Sequence, residues 1–128
     1  MLDVLLAREP HFKDSVKVLE MVEIGEAKGY ITANSITDIA YIIKRGGFST
    51  DRIIEIIKHI MQILGVTSLT KTDILKALEL GYKDLEDAIQ TQCAKKIRAE
   101  YIITRNKRGF LDKSIKVCSP TEFIKELY

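Results

Sequence analysis

Carboxylates are the residues of this sequence whose spacing could support metal chemistry. Asp38 lies near the start of a predicted helix, and Asp84 and Asp87 lie in the first turn of another, three residues apart and on one face. In an open parallel sheet, helices begin at the carboxyl edge, where ligands bind. Converging carboxylates there would form an oxygen-rich site for Mg²⁺ or Mn²⁺. Such an ion can polarise a phosphodiester and activate water.

The same acids also have a structural interpretation. Acidic residues in a first helical turn are favoured by the helix dipole and by capping. Ser35 and Asp38 have the Ser-x-x-acid spacing of a capping box. Asp84 and Asp87 would repel each other unless a cation lay between them. Spacing alone leaves the metal site and the capping interpretation open.

A basic segment follows Asp84 and Asp87 in the sequence. Residues 95–116 contain eight Lys and Arg against two acids, a local net charge of +6. Within it, Arg105, Lys107 and Arg108 come directly after the clearest predicted strand, so we expect them in a loop at the same carboxyl edge. Such a loop would suit a phosphate backbone, and the alternative is a solvated surface loop without a partner.

Other kinds of chemistry lack their motifs. The chain has no Gly-x-Gly-x-x-Gly, no phosphate-binding loop and no Gly-x-Ser-x-Gly. Cys93 and Cys118 are too far apart for a Cys-x-x-Cys pair, and His11 and His59 are isolated. The start lacks the pattern of a signal peptide and no apolar run could span a membrane, so we expect a cytoplasmic protein with reduced thiols.

Alternating helices and short strands must position these residues. With 128 residues, 46% of them hydrophobic, the chain fits one α/β domain with a mainly parallel sheet. The helix over residues 49–64 carries isoleucines around much of its circumference, which predicts a buried helix. The other predicted helices cover residues 2–8, 10–25, 35–45, 70–80, 84–99 and 119–128, and the predicted strands cover 30–33, 66–69, 101–104 and 115–117.

Five segments in order resemble one family, the PIN-domain ribonucleases, in particular small bacterial members found as toxins in toxin–antitoxin operons. Residues 33–39 are similar to the family's second acidic motif and residues 84–90 to its third. Residues 101–110 are similar to the fourth motif, and residues 2–10 and 119–123 to the segment after the first strand and the closing helix.

The resemblance implies a fold, an activity and partners. It implies a three-layer α/β/α sandwich and an endoribonuclease that uses Mg²⁺ or Mn²⁺. Asp38 and Asp87 would be catalytic metal ligands and Asp84 an accessory ligand. Thr104 and Asn106 would support the site, and Arg105, Lys107 and Arg108 would bind RNA. The implied partners are RNA, an antitoxin protein and a second copy of the chain in a homodimer.

Two positions depart from the family pattern. The family's first acid belongs to an Asp-Thr-Asn motif that would precede Met1, so we expect the family's N-terminal strand to be absent and its place in the sheet to show a gap or a substitute. Asp3 matches a later helical position, which predicts a helix-start role. Gly109 stands where the family usually has Asp, with Asp112 nearby. The alternative function is a catalytically degenerate PIN domain that binds RNA or an antitoxin.

Overall fold

Five short strands and six helices make up the part of the chain that the computed structural model describes, residues 2–6, 13–104, 107–111 and 114–127. In chain order they are β1 (Leu2–Leu6), α1 (Lys13–Glu23), β2 (Ala27–Thr32), α2 (Ala33–Arg45), α3 (Thr50–Ile63), β3 (Gly65–Thr67), α4 (Lys71–Leu78), α5 (Leu85–Lys96), β4 (Tyr101–Ile103), β5 (Lys116–Cys118) and α6 (Pro120–Leu127).

The strands form one parallel sheet in the order β3-β2-β1-β4-β5. The chain first builds outward from β1 to β2 and β3, then crosses to the other side of β1 for β4 and β5. The strand order therefore reverses between β1 and β4, and in open parallel sheets ligands bind at the carboxyl end of such a reversal. The predicted α/β class with a parallel sheet is confirmed.

The N-terminal segment differs from its prediction. Leu2–Leu6 is a strand, and it lies at the centre of the sheet between β2 and β4. The helix predicted over residues 2–8 is therefore wrong where the structure describes it, and so is the helix-start role of Asp3. A short apolar run fits either a helix or a buried parallel strand, and pairing on both sides decides for the strand. The central position of the sheet is thus filled.

Helices cover both faces of the sheet. On one face α1, α2, α3 and α6 pack around a core that includes Val18, Ile39, Ile103 and Phe123. On the other face α4 and α5 pack around Ala77, Cys93, Ile102 and their neighbours. Adjacent residues of β4 belong to different cores because side chains alternate across a strand. The three-layer α/β/α sandwich is confirmed.

Helix α3 is less buried than its composition predicts. None of its residues is fully buried, and Ile54 and Met61 are 47% and 53% exposed. One side of the helix packs against the core and leaves its isoleucines partly buried, whereas Ile54 and Met61 on the other side remain at the surface. Its predicted start is confirmed, since the Ser49 side chain accepts a hydrogen bond from the backbone N–H of Arg52 at 3.2 Å.

Local capping explains two further helix starts. Thr70 and Asp73 form a complete capping box at α4, and Ser119 and Glu122 exchange the same pair of bonds at α6. Among the described residues, no helix has both the length and the apolar character that crossing a membrane would require.

Candidate functional site

Helix α5 carries the best-placed candidate acid to the carboxyl edge of the sheet. Asp87, in its first turn, lies against Gly109 in the segment after β4. The side chain of Gln90, one turn later, donates a hydrogen bond to the hydroxyl of Thr32 at the end of β2. The side chain of Lys96 donates a hydrogen bond to the hydroxyl of Ser68, just after β3. One helix therefore contacts three segments that follow or end strands at this edge.

Asp84 acts as the N-cap of α5. Its exposed carboxylate accepts a hydrogen bond from the backbone N–H of Asp87 at 3.1 Å. The capping interpretation is thus observed for Asp84. Asp87 has a different environment, since its side chain is half-buried. This hydrogen bond uses the backbone N–H of Asp87, so the side-chain carboxylate of Asp87 takes no part in the cap.

The carboxylate of Asp87 occupies the space that a side chain at position 109 would need. A Cβ atom added to Gly109 would overlap Oδ2 of Asp87 and lie 2.8 Å from its Cγ. Gly109 does not have the left-handed backbone conformation that favours glycine, and the three atoms nearest to the added Cβ all belong to Asp87. Asp87 therefore fills the place of the side chain that Gly109 lacks.

Asp38 is placed by helix α2, which begins earlier than predicted. The helix starts at Ala33, and its N-cap, Thr32, makes no side-chain capping bond. Ser35 is therefore inside the helix, and the predicted capping box of Ser35 with Asp38 is wrong. Asp38 lies in the second turn and is half-buried. Ser35 lies one turn before Asp38, and its hydroxyl contacts Thr32 and Gln90 instead of capping the helix.

Thr32, Ser35 and Gln90 form a buried polar group that we call the Gln90 cluster. The hydroxyl oxygens of Thr32 and Ser35 are 2.7 Å apart. The amide Nε2 of Gln90 donates to Ser35 at 3.0 Å and to Thr32 at 3.3 Å. This cluster is not apparent from the sequence, because Gln90 lies 55 positions from Ser35 and 58 positions from Thr32. The sequence signal for it is the position of Gln90 on the same face of α5 as the apolar residues Cys93 and Ala94.

Thr104 lies next to this edge, directly after β4. It is buried, and its backbone N–H donates to the carbonyl of Cys118 at 2.9 Å, which extends the pairing of β4 with β5. Asn106, Arg105 and Asp112 lie outside the described residues.

Comparison with known proteins agrees with this architecture. The profile of a family described as PIN domain matches residues 1–108. The chain belongs to the PIN-domain family. Ribonuclease VapC1 of Aquifex aeolicus (strain VF5) is 26% identical in an alignment 128 positions long that covers 96% of this chain and 87% of that protein. The resemblance to the PIN-domain family is confirmed. The assignment of residues 2–10 to the segment after the first strand is wrong, because Leu2–Leu6 is itself the first strand of the sheet.

The basic segment of this PIN domain is partly neutralised. Lys107 Nζ contacts both carboxylate oxygens of Glu122, at 2.8 and 3.0 Å, and Lys116 pairs with Glu126. The ammonium of Lys107, with help from the backbone N–H of Ser119, lowers the pKa of Glu122 to about 2. The acidic partners, Glu122 and Glu126, lie beyond residue 116 and are therefore outside the segment whose local net charge is +6. Arg108 is exposed.

Lys96 has a structural role. Its Nζ contacts the carboxylate of Asp73 at 2.8 Å and the hydroxyl of Ser68 at 2.9 Å, which ties α5 to the start of α4 and to the residue after β3. The hydrogen bond from Lys96 and the backbone bond from Thr70 lower the pKa of Asp73 to about 2.

The oxygen donors of this PIN domain fit a hard divalent cation in chemical type. Asp38 and Asp87 offer carboxylates, and the buried side-chain oxygens of Asn34 and Gln90 have no hydrogen-bond partner among the described residues. No group of three or more His, Cys, Asp or Glu suited to a metal occurs within the described ranges. Magnesium commonly binds through one or two carboxylates and keeps several waters, so two acids are sufficient for such an ion.

Proposed function

We propose that this PIN domain is a toxin-like endoribonuclease that depends on Mg²⁺ or Mn²⁺. The observation that carries the proposal is the half-buried carboxylate of Asp87, seated against Gly109 at the carboxyl edge. The similarity to a protein named Ribonuclease VapC1 supports RNA as the substrate.

Asp87 and Asp38 would hold the metal, and the bound ion would activate water and polarise the phosphodiester. Asp84 fixes the first turn of α5 through its cap bond and so orients Asp87, in addition to its proposed accessory role. Thr104 and Asn106 would support the site. Arg105 and Arg108 would contact phosphates, with Lys107 contributing less because Glu122 already neutralises it.

The test compares Asp87→Asn with Asp84→Asn in RNA cleavage with Mg²⁺ or Mn²⁺. Asparagine keeps the shape of aspartate but removes the charged metal ligand, so Asp87→Asn should abolish cleavage. Asparagine is also a good N-cap, so Asp84→Asn keeps the capping function while it removes a charge. It should retain most cleavage if Asp84 acts mainly as a cap. Cleavage by Asp87→Asn at the wild-type rate would exclude the proposal.

The second candidate is a catalytically degenerate PIN domain that binds RNA or an antitoxin. It is favoured by Gly109, which offers no carboxylate where the family usually has one, and by the missing three-residue metal group within the described part of the chain. Titration with Mn²⁺ separates the two functions. Binding that is lost in Asp87→Asn favours the nuclease, whereas RNA binding without Mn²⁺ binding or cleavage favours the interaction protein.

We further infer from the family resemblance that the protein acts in the cytoplasm, pairs with an antitoxin and forms a homodimer. Light scattering coupled to size-exclusion chromatography measures the mass of the particle and tests the dimer. A mass equal to a single chain across the micromolar range would contradict it.

A further inference from the structure

We propose that Gln90 is a positioning residue that sets the separation of Asp38 and Asp87 by bonding helix α2 to helix α5. The inference rests on the proposed function, because it assigns a role in the geometry of the same metal site. The residues of the Gln90 cluster come from three elements: Thr32 ends β2, Ser35 lies in α2 and Gln90 in α5.

The position of the cluster links the two acids. Ser35 lies one helical turn before Asp38, and Gln90 lies one turn after Asp87. Because residues three apart share a face of a helix, each acid is adjacent to one end of the 3.0 Å bond between Gln90 and Ser35. The two helices belong to opposite layers of the sandwich, so this bond joins the layers at the edge where the acids lie.

The chemistry of Gln90 argues against a role in packing alone. The residue is 4% exposed, and its Oε1 has no hydrogen-bond partner among the described residues. A buried amide with an unsatisfied oxygen stabilises a fold less than an apolar side chain of similar size, because the oxygen loses its water without a replacement. What the amide supplies and leucine cannot is a directional bond to two hydroxyls, which fixes how α5 sits against α2.

The test measures Mn²⁺ affinity by electron paramagnetic resonance in Gln90→Leu, Ser35→Ala and the double variant. Groups that orient metal ligands typically contribute ten- to a hundredfold to affinity, so we expect each single variant to bind Mn²⁺ about tenfold more weakly. The double variant should lose no more affinity than Gln90→Leu alone, because Gln90→Leu already removes the hydrogen bond to Ser35 together with the one to Thr32. Ser35→Ala keeps the test available if Gln90→Leu does not fold.

The matched control is Lys96→Met, which removes a partly buried charge partner from the same helix without changing the Gln90 cluster. Lys96→Met should lower the urea midpoint of unfolding and leave Mn²⁺ affinity unchanged. Gln90→Leu should show the reverse pattern, with weaker Mn²⁺ binding and no decrease in the urea midpoint. Equal losses of affinity in Lys96→Met and Gln90→Leu would show a general effect of stability and overturn the positioning role.

Two further outcomes separate this inference from the proposed function. If Asp87→Asn loses Mn²⁺ binding while Gln90→Leu binds as tightly as the wild type, the positioning role is wrong and the nuclease proposal stands. If the wild-type protein binds no Mn²⁺, or Asp87→Asn binds it unchanged, both fail.

Discussion

Substitution of Gly109 by alanine tests the arrangement of the candidate site most directly. The added Cβ would overlap Oδ2 of Asp87 and lie 2.8 Å from its Cγ, whereas carbon atoms in ordinary contact are about 3.5–4.0 Å apart. The carboxylate must therefore move by about 1 Å or rotate away. Such overpacking costs about 1–3 kcal/mol.

An opposing effect sets the net result. Where the backbone accepts alanine, replacing glycine stabilises a protein by about 0.4–1 kcal/mol, because the unfolded chain loses freedom. Gly109 is such a position, since it lacks a left-handed conformation. We expect Gly109→Ala to destabilise the protein by about 1 kcal/mol and to weaken Mn²⁺ binding about tenfold, because the displaced carboxylate no longer has its original geometry.

A second background supplies the control. In Asp87→Ala the carboxylate is gone, so Gly109→Ala should no longer be destabilising and should instead add about 0.4–1 kcal/mol of stability. Urea unfolding of the four variants measures both effects as a double-mutant cycle. An equal cost of Gly109→Ala in both backgrounds would refute the reasoning, since the clash would then not involve Asp87.

Three other perturbations have defined outcomes. Arg108→Ala should weaken RNA binding more than Lys107→Ala does, because Lys107 is already paired with Glu122. A filter-binding titration at two salt concentrations measures the RNA affinity of both variants. A larger loss of affinity in Lys107→Ala would contradict the neutralisation of Lys107 by Glu122. The pKa of Asp73 is lowered from 3.8 to about 2, so its ionised form stabilises the fold above pH 4 and this contribution is lost as the pH falls through about 2. Asp73→Asn should therefore be less stable than the wild type at pH 7, and the difference in urea midpoint should shrink between pH 4 and pH 2; a constant difference would contradict the role of the charge. Ser49→Ala should cost about 1 kcal/mol in urea unfolding by removing the cap of α3, whereas Ser49→Asp should restore it, and no loss in Ser49→Ala would show that the cap contributes nothing.

Three of the helix starts were predicted correctly from local sequence spacing, whereas Ser35 and Asp38 have the same spacing but lie inside a helix that begins at Ala33. The caps at Ser49, Thr70 and Ser119 each bond a group three residues later, so sequence spacing contains the whole interaction. The parallel sheet was predictable because helices and short strands alternate along the chain, and the family and its sandwich were predictable because segments of the sequence resemble PIN domains.

Features decided by distant partners were not predictable from spacing. Leu2–Leu6 is a strand because β2 and β4 pair with it, and a short apolar run contains no sign of either partner. Lys107 pairs with Glu122 across 15 residues, and Gln90 bonds Ser35 across 55, so neither contact is contained in a local spacing. The candidate acids could be identified from their residue type and position in the sequence. The contact between the carboxylate of Asp87 and Gly109 could be identified only from the folded structure.

The central place of β1 has a consequence for synthesis of the protein. Val4 pairs with Tyr101, so the second edge of β1 is covered only after β4 has been synthesised, about 100 residues later. Until then β1 can pair only with β2, and its other edge exposes unpaired backbone N–H and C=O groups. Pairings between distant residues form slowly because a long loop must close first. Completion of the sheet is therefore a late event, and an unfinished chain presents an open strand edge to its surroundings.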